Sequence, residues 1–337
     1  MKQNWKKISI KKIADIASVG TATVDRVLNN RKGVKKSTKL KILDAIHFLE
    51  NNNERKKNIF LFCQSGNAYN NNLKTVLNTY LNNKNTINID SEFILTKEKL
   101  SERLKNKILN SNNYDGLIVI STENSDINSI VNKFTSRNKP VITLTTDLSR
   151  TNRQAYVGSD QVAAGSTAAK LLTSLIKNKK GPILMIISQP FICQQERELG
   201  FKKILGYDYP KIQIKETIQT TDTSEESYKH VKQYIKNNGP PIGIYSIAGG
   251  NVGVAEAVRD TGYKNQIIFI GHELNKNSKQ LLDTEEMSYV IGHDINLEVE
   301  KSFSLINDFY NEKPIKNFHS NTLIHTKFNC IDYELIF

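Results

Sequence analysis

Apolar residues recur along this 337-residue chain with two different spacings, and the change from one to the other divides it. In "SIKKIADIASVG", Ile10, Ile13, Ala14 and Ala17 stand at i, i+3, i+4 and i+7, one face of a helix, with Ser9 placed to cap it. The helix cannot run cleanly through "SVG": Ser18 and Gly20 are weak helix formers and Gly20 permits a tight turn. Val19, apolar between them, fits the angle between two helices. Val24, Val27 and Leu28 then repeat the i, i+3, i+4 face, with Thr21 or Gly20 at the start and Asn29-Asn30 at the end. A third helix over residues 37–49 carries Leu40, Leu43, Ala45, Ile46 and Leu49.

From residue 59 the pattern changes to short apolar or β-branched runs alternating with amphipathic stretches. "IFLFC", "GLIVIS" and "PVITL" read as strands, with helices near 73–81, 100–109 and 127–134. "AYVGSDQVAAGSTAAKLLTSLI" opens a second series with strands "PILMIIS", "IGIYSI" and "IIFIGHE". Its helices fall near 200–205, 227–235, 254–260 and 278–282. A strand "SYVIGHDI", a long helix near 298–309 and a β-rich "NTLIHTKF" follow. Repeated β-α alternation implies parallel sheets wrapped by helices. The predicted fold is an all-α three-helix headpiece followed by an α/β sensor of two Rossmann-like lobes. The domains are 1–50, a short polar linker 51–58, and 59–337. The first lobe takes about 59–155 plus 292–315, and the second about 156–291 plus the C-terminal tail.

Charge sharpens this division. The net charge is +13, yet residues 1–58 alone hold 15 Lys+Arg against 5 Asp+Glu. A basic module therefore sits ahead of a nearly neutral body, as expected for a contact with nucleic acid or an anionic surface, or for a merely soluble basic head. No apolar run approaches the length of a membrane span, and "MKQNWKKISIKK" has no secretory pattern, so a cytoplasmic location and no membrane partner are expected. Cys63, Cys193 and Cys330 lie far apart, Cys63 and Cys330 in strand-like runs, and read as reduced thiols. No GxSxG, P-loop, HExxH or GxGxxG pattern occurs, and the histidines lack metal-ligand spacing, so neither an enzyme nor a cofactor is expected.

Two short helices joined by a three-residue turn, closed by a third, describe a helix-turn-helix domain whose second helix reads the major groove of double-stranded DNA. Val24, Val27 and Leu28 hold that helix down and leave Thr21, Ala22, Thr23 and Arg26 outward. Arg26 can donate two bonds to one guanine, worth about 1–3 kcal/mol of discrimination, and Ala22 can meet a thymine methyl. Asp25 repels phosphate unless a neighbour pairs with it, so it is structural or reads cytosine. Lys11, Lys12, Arg31, Lys32, Lys35, Lys36 and Lys39 supply phosphate attraction without sequence information.

The stretch "SIKKIADIASVGTATVDRVLNNRKGVKKSTKLKILDAI" resembles the headpiece of LacI-type bacterial transcription regulators over about 40 residues. The resemblance implies that Thr21, Ala22 and Arg26 choose bases, and that Thr23, Asn29, Gly20 and Lys35 join the DNA-facing set. Departures are Lys12 for the usual Asp, Ser18 for the turn glycine, Gly20 for a phosphate-donating serine, and Asp25 for the common Ser. Relatives continue into a hinge helix with a groove-wedging leucine. Here "FLENNNERKKNIFLF" has neither Tyr-x-Pro-Asn nor Ala-x-x-Leu, so a flexible link without leucine intercalation is expected, with Arg55, Lys56 and Lys57 near phosphates.

The body resembles periplasmic sugar-binding proteins, the sensor half of the same family. Ligands in such folds lie past the strand ends, between lobes. The effector candidates are Asn67, Tyr69, Asp147, Phe191, Arg197, Asn251, Glu273 and His293, with Ser65, Thr145, Thr146 and Asp294 beside them. "RELGF" matches the family's Arg-x-x-Gly-Phe. The resemblance implies a small sugar, polyol or sugar acid as effector. Asp160 reads as a helix cap or a ligand contact, the cap being the better fit. "DTSEE" reads as a helix start. The function implied is a homodimeric, effector-modulated regulator on a near-palindromic operator, a repressor, with an activator or dual regulator as the alternative and a non-DNA-binding sugar protein or enzyme as the remote ones.

Overall fold

A computed structural model describes residues 9–54, 56–82, 87–110, 112–176 and 180–330. Contacts divide the chain into two compact units, with the boundary between Lys57 and Asn58. The first unit holds α1 (Ile10–Ala17), α2 (Thr21–Leu28) and α3 (Lys36–Glu54). Ile13, Ala14, Ala17, Val24, Val27, Ile42, Ala45 and Ile46 form its core, with Val19 packed against them between α1 and α2 as expected. In α3 it is Ile42 that turns inward, while Leu40 and Leu43 are exposed. Ser18 ends α1 in the left-handed region at φ 53, where its N–H reaches the carbonyls of Ala14 and Asp15. That conformation favours the glycine that the family pattern has there. Ser9 occupies the N-cap position, but its side chain makes no capping bond.

The polar link is shorter than its sequence suggests. Residues 51–54 continue α3, because asparagines lower helix propensity only moderately and neither Gly nor Pro intervenes before the next strand. Arg55 lies outside the described residues.

The body begins with β1 (Lys57–Ser65), α4 (Asn67–Asn82), β2 (Ile87–Leu95), α5 (Glu102–Asn110), β3 (Gly116–Ile120), α6 (Ser125–Ser136), β4 (Val141–Leu144) and β5 (Ala155–Ser159). It continues with α7 (Gln161–Ile176), β6 (Ile183–Ile187), α8 (Ile192–Asp208), β7 (Ile214–Gln219), α9 (Ser224–Asn238) and β8 (Gly243–Ser246). It closes with α10 (Asn251–Asp260), β9 (Ile268–His272), α11 (Lys276–Asp283), β10 (Tyr289–Gly292), α12 (Ile295–Tyr310), β11 (Phe318–Ser320) and β12 (Leu323–His325).

Two sheets result, ordered β11-β5-β4-β3-β1-β2 and β12-β10-β9-β8-β6-β7. The first is parallel in its described pairings, and in the second only β12 runs antiparallel, against β10. Both lobes thus repeat one doubly wound order, with a switch point between β1 and β3 in the first and between β6 and β8 in the second. Strand β6 shows why such strands read as continuous apolar runs: Leu184 and Ile186 pack towards α9 and α10, and Ile183 and Met185 towards α7 and α8.

Two features correct the sequence reading. Strand β5, expected to open the second lobe, pairs with β4 and belongs to the first, as does β11. The chain therefore changes lobe at Asp160, at His293–Asp294 and at Asn321–Thr322. Asp160 does cap α7, its Oδ1 accepting from the Ala163 N–H at 2.9 Å. Cys330 lies outside any strand, and the tail past it lies outside the described residues.

Candidate functional site

In the first unit, burial of Val24 and Val27 fixes which side of α2 faces out. Thr21, Ala22 and Arg26 are exposed and Thr23 is half-buried. Gly20 occupies the N-cap without a side chain to spend on the first-turn amides; the Thr23 N–H donates to the Gly20 carbonyl at 2.9 Å, and those of Thr21 and Ala22 remain available to an anion at the positive end of the helix. The Arg26 carbonyl accepts from the Arg31 N–H at 2.8 Å, while its side chain makes no hydrogen bond or ion pair among the described residues. Asp25 does: Asn29 Nδ2 donates to its Oδ1 at 2.8 Å and Arg31 Nη1 stands 3.3 Å from its Oδ2. Asp25 is thus held by its neighbours, the structural alternative of the two that the sequence left open. Asn29 spends its amide on this contact, while Lys35 is exposed.

In the body, a cavity of about 410 Å³ opens between the lobes at the strand ends. Asn67, Tyr69, Phe191, Arg197, Asn251 and Glu273 all line it, so six of the eight residues expected from the sequence meet there. Helices α4, α8, α9, α10 and α11 all bring N-terminal residues to its wall. The positive ends of their dipoles point at oxygen-bearing groups, although in α11 the Asn275 side chain already takes the Asn277 and Ser278 amides.

Arg197 is placed by helix contact. A Cβ on Gly200 would strike the Val162 carbonyl, and one on Gly165 would strike the Arg197 carbonyl, so only glycines let α7 and α8 touch. Phe201 then stacks on Tyr245, with ring centroids 4.2 Å apart. This is the physical content of the "RELGF" pattern. Arg197 is 4% exposed; its Nε donates to Gln161 Oε1 at 2.7 Å and its Nη2 to Glu273 Oε1 at 3.1 Å. Burial works against the charge of Arg197, but Glu273, together with nearby Cys193 and Tyr245, offsets it. Burial likewise opposes the Glu273 carboxylate, yet His293 and Arg197 hold it well below the usual carboxylate range.

Three non-glycine residues of the wall, Thr145, Asp222 and Glu273, have left-handed backbones at φ 62, 61 and 69. Such strain gathers where surrounding structure fixes a functional geometry. Asn251 opens α10; its Nδ2 donates to the His272 carbonyl at 3.4 Å, and its Oδ1 is buried without an intramolecular partner. Thr221 Oγ1, also in the wall, is another such oxygen. His272 also lines the cavity, with Nε2 2.8 Å from Tyr245 Oη, and burial keeps its imidazole neutral.

Two expected residues stand elsewhere. Asp147 is outside the cavity wall, gripped by Arg153 at 2.5 Å while Thr143 Oγ1 donates to it at 2.8 Å. Burial opposes its charge, but Arg153 holds its carboxyl below the usual range. His293 also stands outside, behind Glu273, with Nε2 2.9 Å from Glu273 Oε2.

The sequence reading missed Asp222. It belongs to "TDTSEE", which does start a helix, since Thr223 caps α9. Asp222, one residue earlier, reaches across the cleft mouth. Thr96 Oγ1 of the first lobe donates to its Oδ2 at 2.7 Å, and the Gly249 N–H donates to its Oδ1 at 2.6 Å. Gly66 and Gly249 leave just enough room, since a Cβ on either would come 3.0 Å from Asp222 Cβ. Recognising β7 as a strand would have exposed Asp222 as a strand-end residue. Cys193 also lines the cavity; burial pushes its thiol and that of Cys63 up, which leaves both unreactive.

Comparison with known proteins agrees with this architecture. None of the curated proteins compared with the chain matches it significantly. Among solved structures, the glucose-galactose binding protein GanP from Geobacillus stearothermophilus is similar at 19% identity and a TM-score of 0.72, over 82% of this chain and 99% of that one. A solute-binding protein from Bacillus halodurans C-125 with bound myo-inositol superposes at 14% identity and a TM-score of 0.74, over 84% and 99%. One from Actinobacillus succinogenes 130z with bound D-allose does so at 18% and 0.71, over 81% and 98%. At such identities the likeness is one of fold. No helix among the described residues is long and apolar enough to cross a membrane. Residues 100–313 match the periplasmic binding protein domain family and residues 9–50 match the lacI family of bacterial regulatory proteins. The chain therefore belongs to the periplasmic binding protein domain family and, with its lacI-type helix-turn-helix, is a DNA-binding bacterial regulator.

Proposed function

We propose that this regulator acts in the cytoplasm as a homodimeric repressor on a near-palindromic operator, and that an uncharged sugar or polyol in the interlobe cavity sets its operator affinity. The reading of effector class is carried by one observation: the buried cation of the wall, Arg197, is already paired with Glu273. A sugar acid would have to displace that carboxylate and face Asp222 as well, with only exposed Lys97 at the rim to compensate. Hydroxyl groups fit better. They donate to Glu273, Asp222 and the unpartnered Asn251 Oδ1, and accept from Arg197 and the helix amides. Tyr69 and Phe191 supply apolar faces for a ring. The neighbours with D-allose and myo-inositol support the same class for this fold.

The lacI-type helix-turn-helix on the same chain supports reading the cavity as a sensor site. Thr21, Ala22, Thr23 and Arg26 read bases, while Gly20, Asn29 and Lys35 lie against the backbone. Two such helices in a dimer address half-sites about one helical turn apart. A thermal-shift panel of D-allose, D-galactose, D-arabinose, myo-inositol and D-galacturonate tests the effector class. Stabilisation by a neutral member and none by the acid is expected; stabilisation by the acid alone would overturn it. A promoter fusion carrying the selected operator separates repression from activation.

A further inference from the structure

We infer that His293, which does not line the cavity, is a positioning residue that fixes the Glu273 carboxylate and ties it to the hinge between the lobes. This rests on the cavity being the effector site. Six residues close a ring. Gln161 accepts from Arg197 Nε at 2.7 Å, and Arg197 Nη2 donates to Glu273 at 3.1 Å. Glu273 Oε2 lies 2.9 Å from His293 Nε2, and His293 Nδ1 lies 2.8 Å from Glu298 Oε1, the latter an ion pair and not an aligned hydrogen bond. Thr145 Oγ1 donates to Glu298 Oε2 at 3.5 Å, and Gln161 Nε2 donates to the Thr145 carbonyl at 3.1 Å.

The ring passes through the crossovers. Gln161 directly follows the first and His293 sits in the second. Ser320, at the edge of the third, donates to Glu298 Oε1 at 2.5 Å. Arg197 and Glu273 come from the second lobe, and Thr145 and Glu298 from the first. Tyr69 of the cavity wall hangs from the ring through Thr145 Oγ1 at 2.6 Å.

Charges alternate around its ionic half: Arg197, Glu273, His293, Glu298. The His293 side chain is 4% exposed and Glu298 is wholly buried, so water can replace neither partner. Removing one would strand a buried charge. Among the described residues, the charged or titratable groups around the imidazole are Glu273 after β9 and Glu298 on α12 in contact, His272 on β9 and His325 on β12 farther off, and Arg197 on α8 beyond Glu273. Burial holds His272 and His325 low. Burial would lower His293 too, but Glu298 and Glu273 outweigh it and keep the imidazolium well above the usual histidine range. A ligand hydroxyl that engages Glu273 therefore acts on a carboxylate whose other oxygen is bound to the hinge.

The test uses the full chain with 15N-labelled histidine, followed from about pH 6 to about pH 8.5, where an ordinary histidine titrates. His293 is expected to stay doubly protonated throughout, and in Glu298→Gln its midpoint is expected to fall into that range. Titration of wild-type His293 near the ordinary value, or no change in Glu298→Gln, overturns the inference. Operator affinity is then measured with and without D-allose and myo-inositol. His293→Gln is expected to bind the active probe yet lose the operator response, from about tenfold to less than about twofold. A full response in His293→Gln refutes coupling. If neither probe binds, the effector reading fails by itself and the imidazole titration still judges His293. If His293→Gln does not fold, the wild-type and Glu298→Gln titrations decide.

Discussion

Replacing Thr96 with valine deletes one hydroxyl from the cleft mouth and leaves the side chain's shape almost unchanged. Thr96 is 4% exposed, and its Oγ1 donates to Asp222 Oδ2 at 2.7 Å. This contact joins the lobes on their own, apart from any ligand. A hydrogen bond to a charged partner contributes about 1.5–3 kcal/mol, more than a neutral one because the ionised acceptor strengthens it. Asp222 keeps its second bond, from the Gly249 N–H at 2.6 Å, so its position in the second lobe should survive. The loss falls on the closed arrangement alone, since open lobes separate Thr96 from Asp222. At about 1.4 kcal/mol per tenfold, the open-to-closed ratio should rise by roughly 10- to 150-fold. Apparent affinity for a cleft ligand falls by the same factor wherever closure limits binding. Titration calorimetry with the sugar or polyol found by thermal shift measures the affinity, and small-angle scattering measures the lobe separation. An affinity within about twofold of wild type, with unchanged scattering, would refute the idea that this contact holds the cleft shut.

Further consequences follow from the same geometry. Arg26→Ala should cost about 1–3 kcal/mol on the selected operator and much less on random duplex, by fluorescence anisotropy; equal losses on both would mean that Arg26 touches only phosphate. Gly200→Ala should destabilise the second lobe by at least about 2–3 kcal/mol in chemical denaturation, because its Cβ would meet the Val162 carbonyl and Ser166 backbone. The pH dependence of body stability has two limbs. Glu273 is held below its usual 4.5, so its contribution is present above that value and is lost as pH falls through its depressed pKa. His293 is held above its usual 6.5, so its contribution is present below that value and is lost as pH rises towards its raised pKa. Each limb has a slope of at most about 1.4 kcal/mol per pH unit, and Glu298→Gln should flatten the alkaline one. A thermal-melt profile that stays flat across both limbs would contradict this pairing.

Much of the architecture was legible because it is written in local periodicity. The faces of α1 and α2 and the buried strands β3 and β6 each announce themselves within a few residues. Strands β2 and β7 did not: both are sheet edges, half solvated, and "INIDSEFIL" and "IKETIQ" carry too many polar residues for a buried run. The lobe to which β5 belongs depends on a pairing with β4, which no local pattern encodes. At the site, Arg197, Asn251 and Glu273 were found because each follows a recognisable strand. Asp222 was missed because its strand was missed. Asp147 was misplaced because Arg153, six residues on, claims it. His293, expected to contact the effector, lies behind the wall, and its ring through Glu298 and Thr145 joins positions too far apart in sequence to be read there.

The central claim is that a basic headpiece reads duplex DNA while a neutral two-lobed body sets its grip. The most direct measurement is the affinity of the full chain for its selected near-palindromic operator against a scrambled duplex, at about 0.15 M salt, with and without the cleft ligand. The account predicts a preference of at least about a thousandfold that shifts by about tenfold when the ligand binds. Equal affinity for both duplexes, unmoved by any cleft ligand, would contradict it.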